Sequence, residues 1–292
     1  MPPEIASYIF QLCVPYHADA SRESLYEIVR SRFALGAVCQ GWRRIAWSTP
    51  KLWTTVSICF HSPKFANHVD LIKEWISRSG ALPLSFHIYV TEVKNTDVSV
   101  EYADGPYFGP YMANEDALQT VQQLSDRWQE LDVRLPGACL SDLAVKDGTA
   151  PAFNSLILES TDGEANSAEF PMNLSPTHIT FRSVSIRFIE ITWSNVTDAF
   201  ISETNLKECY DLLTVASQLT SCTFVTIHDV ADYLMPADPV VHSELQELKV
   251  EKLMLERDPS SFFGCFTLPS LQILSISMNG TQDFHSRHFG YV

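Results

Sequence analysis

The chain has 292 residues, 46% of them hydrophobic, which is enough to bury a core and suggests one small unit followed by one larger unit. No run approaches the ~18 apolar residues of a membrane span, and the start MPPEIASYIF lacks the basic head and cleavage site of a signal peptide. The formal charge of -15 is uneven: residues 1–50 carry five arginines against four acids, whereas residues 51–292 carry 15 bases against 31 acids. Such an acidic surface disfavours nucleic acid and anionic membranes, both of which need basic residues, and fits either simple solubility or a basic partner. Seven cysteines, odd in number and never in CxxC spacing, argue against a disulfide framework and a zinc site. The expected compartment is therefore reducing, cytoplasmic and/or nuclear.

In chain order, Ile5, Tyr8, Ile9 and Leu12 fall at i, i+3, i+4 and i+7 between Pro3 and Pro15, which predicts a short amphipathic helix. After the polar loop HADASRE, Ser24 and Glu27 have capping-box spacing, and Leu25, Ile28, Val29 and Phe33 continue on one helical face. Val38, Trp42, Ile45 and Ala46 predict a third helical face, with Arg43 and Arg44 pointing the other way. Thr49-Pro50 ends it, because the residue before a proline is driven out of the helical region. Three short helices in about 50 residues lie below the size that usually stands alone, so a second surface must cover their apolar faces.

Pro2-Pro3-Glu4-Ile5, then Val38-Cys39-x-x-Trp42-Arg43-Arg44-Ile45-Ala46 and Ser48-Thr49-Pro50-x-Leu52-Trp53, together resemble the F-box-like proteins expanded in mushroom-forming fungi. The resemblance implies an F-box-like three-helix domain over residues 1–50 that docks onto the Skp-type adaptor of a cullin-RING (SCF-type) ubiquitin ligase. It implies that Pro2, Ile5, Ile9, Val38 and Trp42 are the docking positions. Read without the resemblance, the same side chains could simply pack with one another.

Trp53, Val56 and Ile58 begin a strand-like pattern. Phe65, Val69, Ile72 and Ile76 predict a helix with Gly80 at its C-cap, and Leu82, Leu84, Phe86, Ile88 and Val90 alternate as a half-buried strand does. Residues 91–113 have no period and read as a surface loop. Asn114 then caps a helix whose Ala117, Val121, Leu124 and Trp128 share a face.

From Trp128 onward an apolar-x-x-apolar-x-apolar pattern recurs, with central positions at Leu131, Leu156, Ile179, Ala199, Cys222, Leu248 and Leu274. The intervals are 25, 23, 20, 23, 26 and 26 residues, within the ~20–29 of leucine-rich repeats. Asn205 with Glu208, and Asp258-Pro259, mark helix starts between strands. The expected fold is α/β: the helical unit, then a leucine-rich-repeat-like solenoid over 51–292 whose parallel strands line a concave wall. The repeat is degenerate, because only Asn279 occupies the position where such repeats usually place Asn or Cys, so turns would be closed by backbone or hydroxyl groups. An ordinary α/β domain with a parallel sheet is the rival. No capping pattern follows Ile276, so more chain is expected beyond residue 292.

No phosphate loop, nucleophile elbow, H-E-x-x-H or calcium loop occurs, and no cofactor or metal is expected. His285 and His288 lie in a polar tail and read as solvated, and Cys39 and Cys222 read as small buried hydrophobes. The sequence therefore points to a substrate-recognition subunit that is not an enzyme, with a non-ligase leucine-rich-repeat interaction scaffold as the alternative. Strand alternation puts the target-binding residues in two outward columns. The first is Asp132, Ile157, Thr180, Phe200, Thr223, Lys249 and Ser275, and the second is Arg134, Glu159, Arg182, Ser202, Val225, Glu251 and Ser277. Ile157, Phe200 and Val225 would form an apolar centre with a charged rim, or would be covered by the loop at 91–113.

Overall fold

A computed structural model describes residues 2–14, 22–60, 69–90, 115–143, 150–163, 170–229, 239–254 and 260–277. The fold is α/β, with a large sheet of parallel strands. The chain forms two compact units, 1–133 and 134–292. Among the described residues no helix is long and apolar enough to cross a membrane.

The first unit contains α1 (Pro3–Cys13), α2 (Arg22–Val38), α3 (Gln40–Trp47), β1 (Thr55–Phe60), α4 (Val69–Arg78), β2 (Leu84–Val90) and α5 (Glu115–Gln122). β3 (Trp128–Leu135) holds the division between the units. Pro3 starts α1 where its missing N–H costs nothing, and Ala6 and Phe10 form its buried side. Val38 ends α2 rather than opening α3. Cys39 is extended (φ -158°), and its Sγ accepts the Trp42 N–H at 3.4 Å, so the sulfur interrupts the helix and caps the next one. Phe10, Leu35 and Ala46 pack with Leu52 and Trp53, and Trp75 of α4 lies against them. These residues beyond position 50 supply the second surface that so small a helical segment needs. Ser7 and Thr49 join α1 to the end of α3 by a 2.8 Å hydroxyl contact.

The sheet of this unit runs β1-β2-β3. Val56 pairs with Phe86 and Ile58 with Ile88, all four buried, as a period of two requires when one face meets the core. Gly80 closes α4 with φ 61°, a left-handed value that glycine adopts without cost. Residues 91–113 and Asn114, expected as a loop and a helix cap, lie outside the described residues.

The second unit contains α6 (Gly137–Leu140), β4 (Ser155–Ser160), β5 (Phe170–Pro171), β6 (His178–Arg182), β7 (Ile189–Glu190), β8 (Asp198–Ser202) and β9 (Thr204–Asn205). α7 (Leu206–Val215), β10 (Ser221–His228), β11 (Val240–Val241), β12 (Glu247–Met254), α8 (Ser260–Phe263), β13 (Phe266–Thr267) and β14 (Ile273–Ile276) follow. The strand order is β4-β6-β8-β10-β12-β14, every step parallel. Two-stranded parallel pairs, β5 with β7 and β11 with β13, form separately.

The central positions read from the sequence align across the strands: Leu156 with Ile179, Ala199, Cys222, Leu248 and Leu274 in turn. A hydrogen-bond ladder two residues upstream repeats with the same spacing. The Asn154 carbonyl accepts the N–H groups of Thr177 and His178, both at 3.0 Å, and the Thr177 carbonyl accepts those of Thr197 and Asp198 at 2.8 and 3.1 Å. Thr197, Thr220 and Gln246 repeat the arrangement with residues 220–221, 246–247 and 272–273. The hydroxyls of Thr177, Thr197 and Thr220 each donate to the same upstream carbonyl, at 3.2, 3.2 and 3.0 Å. Backbone and hydroxyl groups thus satisfy the strand entrances, leaving few buried donors unpaired. The relation also occurs in the first unit, where Ser85 N–H donates to Thr54 at 2.9 Å just before the Val56–Phe86 pair.

Behind the strands, Phe181, Phe224, Leu248 and Leu213 are almost wholly buried, each stabilising the fold by roughly 2 kcal/mol. Asn205 caps α7 as its spacing predicts, its Oδ1 accepting the Glu208 N–H at 3.0 Å. The Glu208 side chain does not return to the cap residue's backbone. It is buried and accepts the hydroxyls of Ser185 and of Thr204, which ties successive turns together.

Candidate functional site

The first unit presents an apolar surface made by α1, the end of α2 and the start of α3. Ile5 (52% exposed), Ile9 (40%), Val38 (62%) and Trp42 (37%) all reach solvent although they are large and apolar, and Pro2 beside them is exposed too. Trp42 also packs within the segment: its ring centroid lies 5.0 Å from that of Phe10, whose own ring is buried in the core. Of Ile5, Ile9, Val38 and Trp42, Val38 keeps the most exposure and Trp42 the least. Tyr8 and Leu12 are exposed on the same stripe as Ile5 and Ile9, and the i, i+3, i+4, i+7 pattern already grouped them.

The lower side of this segment is fixed by aromatic contacts. The Arg78 guanidinium lies 4.8 Å from the ring centroids of both Trp47 and Trp53, and Arg43 stacks on Trp47 at 5.3 Å while its Nε donates to the Gly36 carbonyl at 2.8 Å. Arg32 is buried and donates to the Thr55 carbonyl at 2.6 Å, and desolvation lowers its pKa to about 10.

In the second unit the outward side of the strands carries the predicted columns. Ile157, Thr180, Phe200, Thr223, Lys249 and Ser275 stand in register across neighbouring strands, and Ile157, Phe200 and Val225 are half-buried. In the second column Glu159 Oε2 lies 3.8 Å from Arg134 and 3.5 Å from Arg182, and Arg182 extends over the Phe200 ring at 5.3 Å. Ser202 follows in register, and Glu251 and Ser277 are exposed. Asp132, the first residue of the other column, belongs to the first unit and is only 2% exposed, with its Oδ2 3.5 Å from His87 Nδ1. Period-two alternation says which face a side chain takes, not whether that face is covered, so Asp132 is not available as a surface contact.

One column was missed although the same alternation marks it. His178, Asp198, Ser221 and Glu247 lie two residues before the central outward column. His178 Nε2 is 3.4 Å from Asp198, and Glu247 bonds Ser221 at 3.1 Å and Lys249 at 2.7 Å. Beyond the strand ends, Ser183 (φ 52°) and Glu203 (φ 58°) both take left-handed backbone values that side chains normally avoid, so equivalent turns carry the same local strain. His228 Nε2 lies 2.8 Å from Glu203, and this hydrogen bond holds the Glu203 carboxyl below its ordinary value.

Burial pushes the thiols of Cys209 and Cys222 upward, which makes them poor nucleophiles. Among the described residues no group of three or more His, Cys, Asp or Glu could hold a metal ion. His285 and His288 lie outside those residues. Comparisons with protein-family models and with curated proteins give no match.

Proposed function

We propose that the chain is a substrate-recognition subunit of an SCF-type cullin-RING ubiquitin ligase, working in the cytoplasm and/or nucleus. Its helical segment docks to the Skp-type adaptor through Pro2, Ile5, Ile9, Val38 and Trp42. Its repeating strands form a leucine-rich-repeat-like solenoid that holds a protein target on the outward columns. The observation that carries this reading is the solvent exposure of those large apolar side chains on helices already packed through their other faces. The hydrogen-bond ladder with its 20- to 26-residue spacing supports the solenoid. The mechanism is positioning: holding a target lysine near a charged conjugating enzyme raises its effective concentration, and no catalytic residue of this chain is needed.

Affinity purification of the tagged chain with mass spectrometry tests both surfaces together. Wild type should recover adaptor, cullin and target, Trp42→Ala should lose adaptor and cullin, and Phe200→Asp should lose the target alone. Recovery of other partners without any adaptor overturns the ligase reading in favour of a non-ligase leucine-rich-repeat scaffold.

A further inference from the structure

The strand order ends on β14, and the repeating pattern is open there. The carbonyls of Asn154, Thr177, Thr197, Thr220 and Gln246 each accept two N–H groups from the next strand, and Gln272, the following position in that series, receives none among the described residues. Ile273 and Ser277 donate to the β12 side at 3.0 and 2.8 Å, so the two-residue period of a strand turns the N–H and C=O groups of Leu274 and Ile276 toward the free edge. The side chains are open as well. Leu248, Val250, Cys222 and Phe224, in register with Leu274 and Ile276, are at most 1% exposed, whereas Leu274 and Ile276 are only half-buried. On the outward side the column His178, Asp198, Ser221, Glu247 is polar, and the next residue in register is Ile273, 48% exposed. Residues 272–277 carry neither a charge nor a proline, the devices that usually keep an edge strand single.

We propose that this edge pairs with the same edge of a second copy of the chain, antiparallel, about a two-fold axis at Ser275. In the register where Leu274 and Ile276 exchange their free backbone groups with the other copy, Leu274 stands opposite the partner's Ile276 on the inward side, which continues the apolar layer of both copies. On the outward side Ser275 stands opposite the partner's Ser275, two small groups at the axis, and Ile273 meets the partner's Ser277. A two-fold contact requires a patch that matches itself, and an uncharged segment with apolar residues facing apolar ones and serine facing serine meets that requirement. β14 has only four residues, so the association is reversible and depends on concentration. The rest of the chain opposes it: two copies of net charge -15 repel, and salt screens that repulsion, so the dimer tightens as ionic strength rises.

Sedimentation equilibrium of the full chain over a wide concentration range tests this. The average mass should rise from 32.9 kDa toward twice that value and no further, and the midpoint should move to lower protein concentration as salt is added. Ser275→Lys, at an exposed position, sets like charges together at the axis and should leave the chain monomeric with an unchanged melting temperature. In a background of Cys13→Ser and Cys39→Ser, which removes the exposed thiols, Ser275→Cys treated with diamide should link two copies by a disulfide, and Ser277→Cys should not. A wild-type chain that stays at 32.9 kDa, a dimer that Ser275→Lys leaves intact, or growth beyond the dimer overturns the inference. Cross-linking through position 277 instead of 275 overturns it too, because it contradicts the two-fold register.

Discussion

The indole N–H of Trp53 donates to the Ala46 carbonyl at 3.0 Å, and the same bond, again seven residues apart, joins Trp128 to Val121 at 3.1 Å. In each case the tryptophan stands just before or at the start of a strand and adds a second donor at the end of the preceding helix, to a carbonyl that already accepts a backbone N–H, that of Thr49 at Ala46 (3.3 Å) and that of Leu124 at Val121 (3.1 Å). Trp53→Phe and Trp128→Phe would keep most of the ring's packing and remove one of the two hydrogen bonds to each carbonyl. Each should cost about 0.5–1.5 kcal/mol in urea unfolding, and two values near zero would show that the backbone N–H alone satisfies both carbonyls.

Phe200→Asp tests whether the outward columns are surface or core. Phe200 is half-buried beneath Arg182, and an aspartate there gains the same guanidinium as a partner. Target capture should be lost with the melting temperature nearly unchanged. A fall of many degrees would place Phe200 in the core.

Acid should weaken the second unit slightly through Glu203 and Glu247. The hydrogen bond to His228 lowers the first and that from Lys249 lowers the second, below an ordinary value of 4.5. A carboxylate lowered in the folded state stabilises above its unfolded pKa, and that contribution disappears as pH falls through the folded value. Both groups are solvent-accessible, so the effect is small and screened by salt. The double variant Glu203→Gln, Glu247→Gln should show a flatter fall in urea midpoint between about pH 5 and about pH 3 than wild type. An identical fall would assign the acid sensitivity elsewhere.

Much of the strand register was legible because it depends on apolar spacing. Leu156, Ile179, Ala199, Cys222 and Leu248 were readable as one layer, and they pair as one. The same pattern at Trp53, Val56 and Ile58 was readable as a strand but not as a repeat, since the 30 residues from Val56 to its partner Phe86 include a whole helix. Cys39 was placed within a helix because a thiol is a poor capping signal in sequence. Only its geometry shows the sulfur accepting the Trp42 N–H. Asp132 was misplaced for a different reason: alternation fixes a side chain's direction, whereas burial depends on what lies above it. Tyr8 and Leu12 had the right spacing and became candidates only once their exposure was known.

Calorimetric titration of the purified chain with a Skp-type adaptor, in wild-type and Trp42→Ala forms, tests the docking role of the helical segment. Trp42 lies at the exposed junction of α1 and α3, where an aromatic anchor typically contributes ~2 kcal/mol or more. Wild type should bind clearly, and Trp42→Ala should bind about thirtyfold more weakly, or worse, with unchanged folding. Absence of adaptor binding by the folded wild-type chain would contradict it.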